Sequence, residues 1–263
     1  MTDRASAPPW RRYVALGDSF TEGLQDEVGP DGRHRGWADR LAGELDARSP
    51  GLTYANLAVR GRLLPQVVDE QVPAALALDP DLVTFAAGVN DALRRHFDLD
   101  ASATLLEDAV RRLRAGGADV LLVAFGDPSR RSRAIGSVTG RIAAYDSVVR
   151  AVAERYGCYL MDFWGLAAFD DDVLWDEDRL HLAPEGHRVV AAAALDALGF
   201  GDDRWRTPRA PSPHRPLPAR VAADAAWARG HLLPWLGRRL RGISSGDGVD
   251  PKRPTLAPVD IRI

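Results

Sequence analysis

Ser19 lies in the run Gly17-Asp18-Ser19-Phe20-Thr21-Glu22-Gly23, and far downstream Asp178 stands three residues before His181. A serine hydroxyl is a weak nucleophile until a base removes its proton, and an imidazole oriented by a carboxylate can do so. On a tight turn, a carboxylate three residues before a histidine can accept one imidazole N–H. That contact fixes the tautomer whose other nitrogen is free to take a serine proton. Gly61 and Asn90, the latter in Gly88-Val89-Asn90-Asp91, could meet developing negative charge with a backbone N–H and a side-chain amide. The chemistry such a set could perform is acyl transfer through a covalent serine intermediate.

Each residue also has a plain structural reading. Ser19-x-x-Glu22 has the form of a capping box at a helix start. Gly61 could be a turn glycine, and Gly88 with Asn90-Asp91 suits a turn at the end of a strand. Asp178 and His181 could sit on a solvated loop. The acidic run Asp176-Glu177-Asp178 leaves more than one partner open for the histidine. His34, His96, His187, His214 and His231 read as structural.

What favours the chemical reading is where the elements put these residues. Five short apolar runs have the look of buried parallel strands: Tyr13–Leu16, Thr53–Leu57, Leu82–Ala86, Val120–Phe125 and Tyr159–Phe163. Helical spacing fills Trp37–Ala47, Leu64–Leu78, Ala103–Ala115, Ile142–Tyr156 and Pro184–Leu198. This alternation predicts a parallel sheet with helices on both faces, which binds ligands at the carboxyl ends of its strands. Ser19 follows the first strand, Gly61 the second, Asn90 the third, and Asp178 and His181 come downstream of the fifth. All five therefore map to one edge of one sheet.

These blocks resemble those of the SGNH (GDSL-type) serine hydrolases, in order and over Tyr13 to Leu198. The resemblance implies a three-layer α/β/α fold around a five-stranded parallel, flavodoxin-like sheet. It implies Ser19 as nucleophile, His181 as base and Asp178 behind it, since the family spacing selects Asp178 from the acidic run. It also implies an oxyanion hole made of the Ser19 and Gly61 N–H groups and the Asn90 amide. The expected activity is hydrolysis of a small-molecule carboxylic ester, with no cofactor and no metal. An acyltransferase or thioesterase using the same triad, or a non-catalytic binding protein of the same fold, are the alternatives. The G-x-S-x-G elbow of other serine hydrolases is absent, because Thr21 follows where that pattern needs glycine. No G-x-G-x-x-G, Walker A, H-E-x-x-H or paired C-x-x-C motif occurs.

The 263-residue chain suits a lead-in over residues 1–12, a hydrolase domain over 13–200 and an extension over 201–263. Net charge is −3, too mild to argue for nucleic acid. Its distribution is uneven, with twelve basic and six acidic residues from Gly201 onward. Cys158 has no partner cysteine, and MTDRASAPPWRR lacks the apolar core of a secretory signal, so a cytoplasmic location is expected. The loop Asp127–Gly140, with Arg130, Arg131 and Arg133, is expected to flank the site.

In the extension, five prolines between Arg206 and Pro218 predict an extended linker. Two short helices are expected at Val221–Arg229 and Pro234–Arg241, then coil from Ser244. The second helix is basic and amphipathic. It could sit on an anionic membrane surface or dock on the parent domain, and the opposite charges of extension and domain favour docking.

Overall fold

A computed structural model of the chain describes residues 7–130, 136–207, 229–230 and 244–259. Its centre is a sheet in the order β5-β4-β3-β1-β2-β6. Strands β1 (Arg12–Gly17), β2 (Thr53–Asn56), β3 (Leu82–Ala86), β4 (Asp119–Ala124) and β5 (Tyr159–Asp162) run parallel. The order 2-1-3-4-5 is that of a doubly wound sheet, whose chain reverses direction between β1 and β3.

Successive side chains of these strands face opposite layers, as the period of two requires. Tyr13, Ala15, Leu121 and Val123 enter one core with Trp37, Leu41 and Leu45 of α2 (Gly36–Arg48) and Val190 and Ala194 near the C-terminal end of the chain's folded domain. Val14, Leu16, Val83, Phe85, Val120 and Leu122 enter the other. Apolar runs on both faces explain why the strands read as continuous hydrophobic stretches. Burying each Val, Leu or Phe in this way contributes roughly 1.5–3 kcal/mol.

Short α1 (Ser19–Glu22) follows β1. On the second face, α3 (Leu64–Gln66) passes through a π-helical turn at Val67–Gln71 into α4 (Val72–Ala77). Next come α5 (Val89–Ala92), α6 (Leu99–Ala115) and α7 (Thr139–Tyr156). Helix α6 starts where the Asp98 carboxylate accepts the Ala101 N–H at 3.0 Å. Helix α8 (Pro184–Ala197) returns to the first face and packs against α2, with proline in its first turn.

The expectation of coil from Ser244 is corrected. Arg253–Pro258 forms β6, which pairs antiparallel with β2 through Thr53–Pro258, Tyr54–Ala257 and Asn56–Arg253. Backbone pairing creates this strand, and its two prolines hide it from a search for apolar periodicity. Lys252, just before it, is buried, and its ammonium donates to the carbonyls of His34 at 3.0 Å and Arg35 at 2.6 Å and pairs with Asp39. Arg253 lies over the Tyr54 ring at 5.4 Å. The linker from Pro208 and the two short helices lie outside the described residues, apart from Arg229 and Gly230, as do residues 131–135 of the arginine loop. Among the described residues no helix is long and apolar enough to cross a membrane.

Candidate active site

Ser19 is the first residue of α1, placed at the carboxyl end of the central strand. The cap of this helix is Asp18, whose carboxylate accepts the Phe20 N–H at 3.1 Å. The capping-box reading of Ser19 is thereby overturned, and Glu22 is engaged elsewhere. Its carboxylate accepts the Arg60 N–H at 2.6 Å and pairs with the Arg60 guanidinium. The turn into Ser19 is held from behind by Gln71. Its side-chain amide accepts the Gly17 N–H at 2.8 Å and donates to the Gly17 carbonyl at 2.9 Å, much as another strand would. The π turn delivers Gln71 to this position, a common association of such turns with functional regions.

His181 and Asp178 come from the turn between β5 and α8, closed by the Asp176 N–H donating to the His181 carbonyl at 2.9 Å. Asp178 Oδ1 accepts the N–H groups of Leu180 at 2.8 Å and His181 at 2.9 Å. Its Oδ2 lies 2.6 Å from His181 Nδ1. A ring nitrogen facing a carboxylate carries the proton, which leaves Nε2 as the acceptor. Nε2 is 3.0 Å from Ser19 Oγ, across 162 residues of sequence. Burial alone would raise the Asp178 carboxyl. The hydrogen bond and charge of His181 and the two N–H groups outweigh it, bringing the group down to about 2. Asp176, the rival in the acidic run, instead accepts from Gln25 Nε2 at 3.1 Å.

Asn90, on α5 after β3, donates through Nδ2 to Asp18 Oδ2 at 2.9 Å and to the Arg62 carbonyl at 3.1 Å. Asp91 Oδ2 accepts the Leu64 N–H at 2.8 Å. These bonds tie the loop that contains Gly61 to α5. Asp18 is an addition that the spacing of the motifs did not single out. Its burial pushes the carboxyl up to about 7 against the pull of the Phe20 N–H and the His181 charge, with Asp91 and Glu22 pushing the same way as burial.

Ser19, Asn90 and His181 open onto a cavity of about 120 Å³. Phe20, Phe125, Phe163, Phe169 and Trp175 supply most of its aromatic wall. His187 also reaches this region but is a core residue. Its Nε2 faces the Leu24 carbonyl at 3.0 Å, Nδ1 accepts the Trp37 N–H at 3.2 Å, and burial brings it down to about 4. Among the described residues no group of three or more His, Cys, Asp or Glu side chains could hold a metal ion.

The sequence matches the GDSL-like Lipase/Acylhydrolase family over residues 15–189, two thirds of the chain. The chain belongs to that family. Solved structures of similar shape include LAE5, described as an alpha/beta hydrolase enzyme from the metagenome of Lake Arreo, Spain. It is 27% identical, with a TM-score of 0.62, covering 73% of this chain and 97% of its own. A variant of Axe2, an acetyl xylan esterase from Geobacillus stearothermophilus, is 22% identical with a TM-score of 0.63. It covers 74% of this chain and 97% of its own. No curated protein is similar enough in sequence to match. As a GDSL-family protein the chain is a serine carboxylic-ester hydrolase of the acylhydrolase type. The family match ends at residue 189, so β6 and the turn before it lie beyond the matched span.

Proposed function

We propose that this family member cleaves a small carboxylic ester by forming an acyl-enzyme on Ser19, with His181 as base and Asp178 as its orienting carboxylate. The observation that carries the reading is the continuous chain from Asp178 Oδ2 to His181 Nδ1, 2.6 Å, and from His181 Nε2 to Ser19 Oγ, 3.0 Å. It ends at the mouth of the aromatic cavity.

In this reading His181 Nε2 takes the Ser19 proton as Oγ attacks the ester carbonyl. The charge gained by the imidazole is balanced by Asp178. The oxyanion that forms is met by the N–H groups of Ser19 and Gly61 and by the Asn90 amide. Both Asn90 amide protons are engaged in the free protein, so the oxyanion takes over one of them from Asp18 or Arg62. The His181 proton then passes to the departing alcohol. Water, activated by the same imidazole, releases the acid.

The phenyl and indole walls favour an apolar acyl group of modest length, with the alcohol directed outward. A fluorophosphonate probe and a series of p-nitrophenyl esters from acetate to palmitate test the proposal. Wild type is expected to be labelled and to prefer short or medium chains, and Ser19→Ala to be unlabelled. Equal labelling of folded Ser19→Ala would remove Ser19 as nucleophile.

A further inference from the structure

The arm that carries β6 does more than extend the sheet. Before reaching β6 it makes the turn Ser244–Gly248, closed by the Asp247 carboxylate accepting the Ser244 N–H at 2.9 Å and by the Asp247 N–H donating to the Ser244 carbonyl at 3.3 Å. The tip of that turn rests on the loop that follows β2. The Gly246 backbone lies so close to the Arg60 carbonyl that a Cβ there would fall inside the oxygen's van der Waals shell. Reciprocally, a Cβ on Gly61, which has φ +73°, would lie 2.5 Å from Ser244 Oγ and 2.9 Å from Ser245 Oγ. Ser244 Oγ also approaches the Gly61 carbonyl at 3.4 Å and accepts the Gly246 N–H at 3.2 Å. The Gly246 main chain thus packs directly on the Arg60 carbonyl, and the Ser244 and Ser245 hydroxyls fill the space beside Gly61 that a side chain there would need.

Arg60 and Gly61 are held on their other side by Glu22 of α1 and, through Arg62, by Asn90. The arm closes the remaining side. It is anchored at its far end by Lys252 in the buried pocket of Asp39, His34 and Arg35, and by pairing of β6 with β2, the strand from which the Gly61 loop departs.

We infer that the Ser244–Gly246 turn of the C-terminal arm positions the Arg60–Gly61 peptide, so that the Gly61 N–H points at the reacting carbonyl oxygen. The inference rests on the esterase reading above and assigns the positioning of one donor of that oxyanion hole to a segment outside the family-matched span. An N–H fixed in advance stabilises the transition state without reorganising when charge develops, whereas a mobile one must be ordered in each turnover. Displacing the arm should therefore slow the chemical step and leave ground-state binding nearly untouched.

The test uses the full chain with Gly246→Ala, and the double variant Ser244→Ala/Ser245→Ala in case the first does not fold. For a folded Gly246→Ala, kcat is expected to fall about ten-fold or more with KM changed less than about two-fold, and fluorophosphonate labelling of Ser19 to slow in parallel. For the double variant a fall in kcat of about three-fold or more at unchanged KM is expected. In [15N]glycine-labelled protein the Gly61 amide resonance, assigned from Gly61→Ala, should shift in either variant whether or not the chain turns over. Unchanged kcat together with an unshifted Gly61 resonance in a folded variant would overturn the inference. So would a rise in KM with kcat held, because the arm would then shape binding instead. Absence of labelling and turnover in wild type itself would reject the esterase reading, and the Gly61 resonance would still decide whether the arm sets the loop.

Discussion

Asn90 Nδ2 donates to the buried carboxylate of Asp18 at 2.9 Å, so the residue before the proposed nucleophile holds the amide proposed to meet the oxyanion. Asp18 accepts two bonds at once, from Asn90 on Oδ2 and from the Phe20 N–H on Oδ1. An asparagine at position 18 could accept only one of them with its single oxygen. Asp18→Asn is expected to lower kcat about ten-fold, and Asn90→Ala by ~10²–10³, both with small effects on KM. Because Asp18 acts through Asn90, adding Asp18→Asn to Asn90→Ala should cost little more. Steady-state kinetics of the four proteins check this, and full additivity would show that Asp18 acts independently.

Removal of Ser19, His181 or Asp178 should each reduce kcat by orders of magnitude, and pairs of removals should cost little beyond the worst single one. The three side chains form one hydrogen-bonded line. Additive losses in Ser19→Ala/His181→Ala would mean that the two residues do not act on one proton.

Asp146 on α7 is buried and accepts the Phe125 N–H at 2.9 Å, while its second oxygen has no hydrogen-bond partner among the described residues. Burial pushes its carboxyl up to about 7, opposed by the Phe125 N–H and Arg150 and reinforced by Asp162. A carboxyl whose pKa is higher in the folded than in the unfolded chain binds more protons when folded. Its contribution to stability therefore falls as pH rises from about 4 to about 7. Asp146→Asn removes that dependence. From pH 5 to pH 8 the stability of the variant relative to wild type should improve by about 2–3 kcal/mol, read from urea unfolding midpoints. A difference that stays flat over this range would show that Asp146 is ionised in the fold throughout.

Lys252 is the chain's one lysine, and its ammonium is paired inside the protein with Asp39. Lys252→Met should cost about 3–5 kcal/mol, because it leaves the Asp39 carboxylate buried without a counter-charge. Lys252→Met/Asp39→Leu should recover much of that loss. Urea denaturation at pH 8 measures both. A single-variant loss below about 1 kcal/mol would mean that the arm holds without this pair.

The parallel strands were legible because their residues are mostly apolar, and β1, β3 and β4 are buried on both faces. The residues around the candidate site were legible because they follow strands whose carboxyl ends share one edge of the sheet. Other contributions leave no local trace. Asp18 draws attention only as a neighbour of Ser19. Gln71 pairs with Gly17 across 54 residues, an encounter produced by a single π turn. The Ser244–Gly248 turn has the composition of an ordinary surface loop, and its close approach to Gly61 follows from β6 pairing, which operates through backbone groups alone.

With β6 in place, the β2 side of the sheet ends in a strand containing Pro254 and Pro258. Proline has no N–H to offer an incoming chain, and such residues blunt the edge of a sheet against further pairing. Without the arm, β2 would itself become that edge, with the unpaired backbone groups of Thr53-Tyr54-Ala55-Asn56 facing outward. Proteolytic loss of the arm would therefore turn an otherwise folded molecule into a template for strand addition between copies, and self-association would accompany the loss of β6.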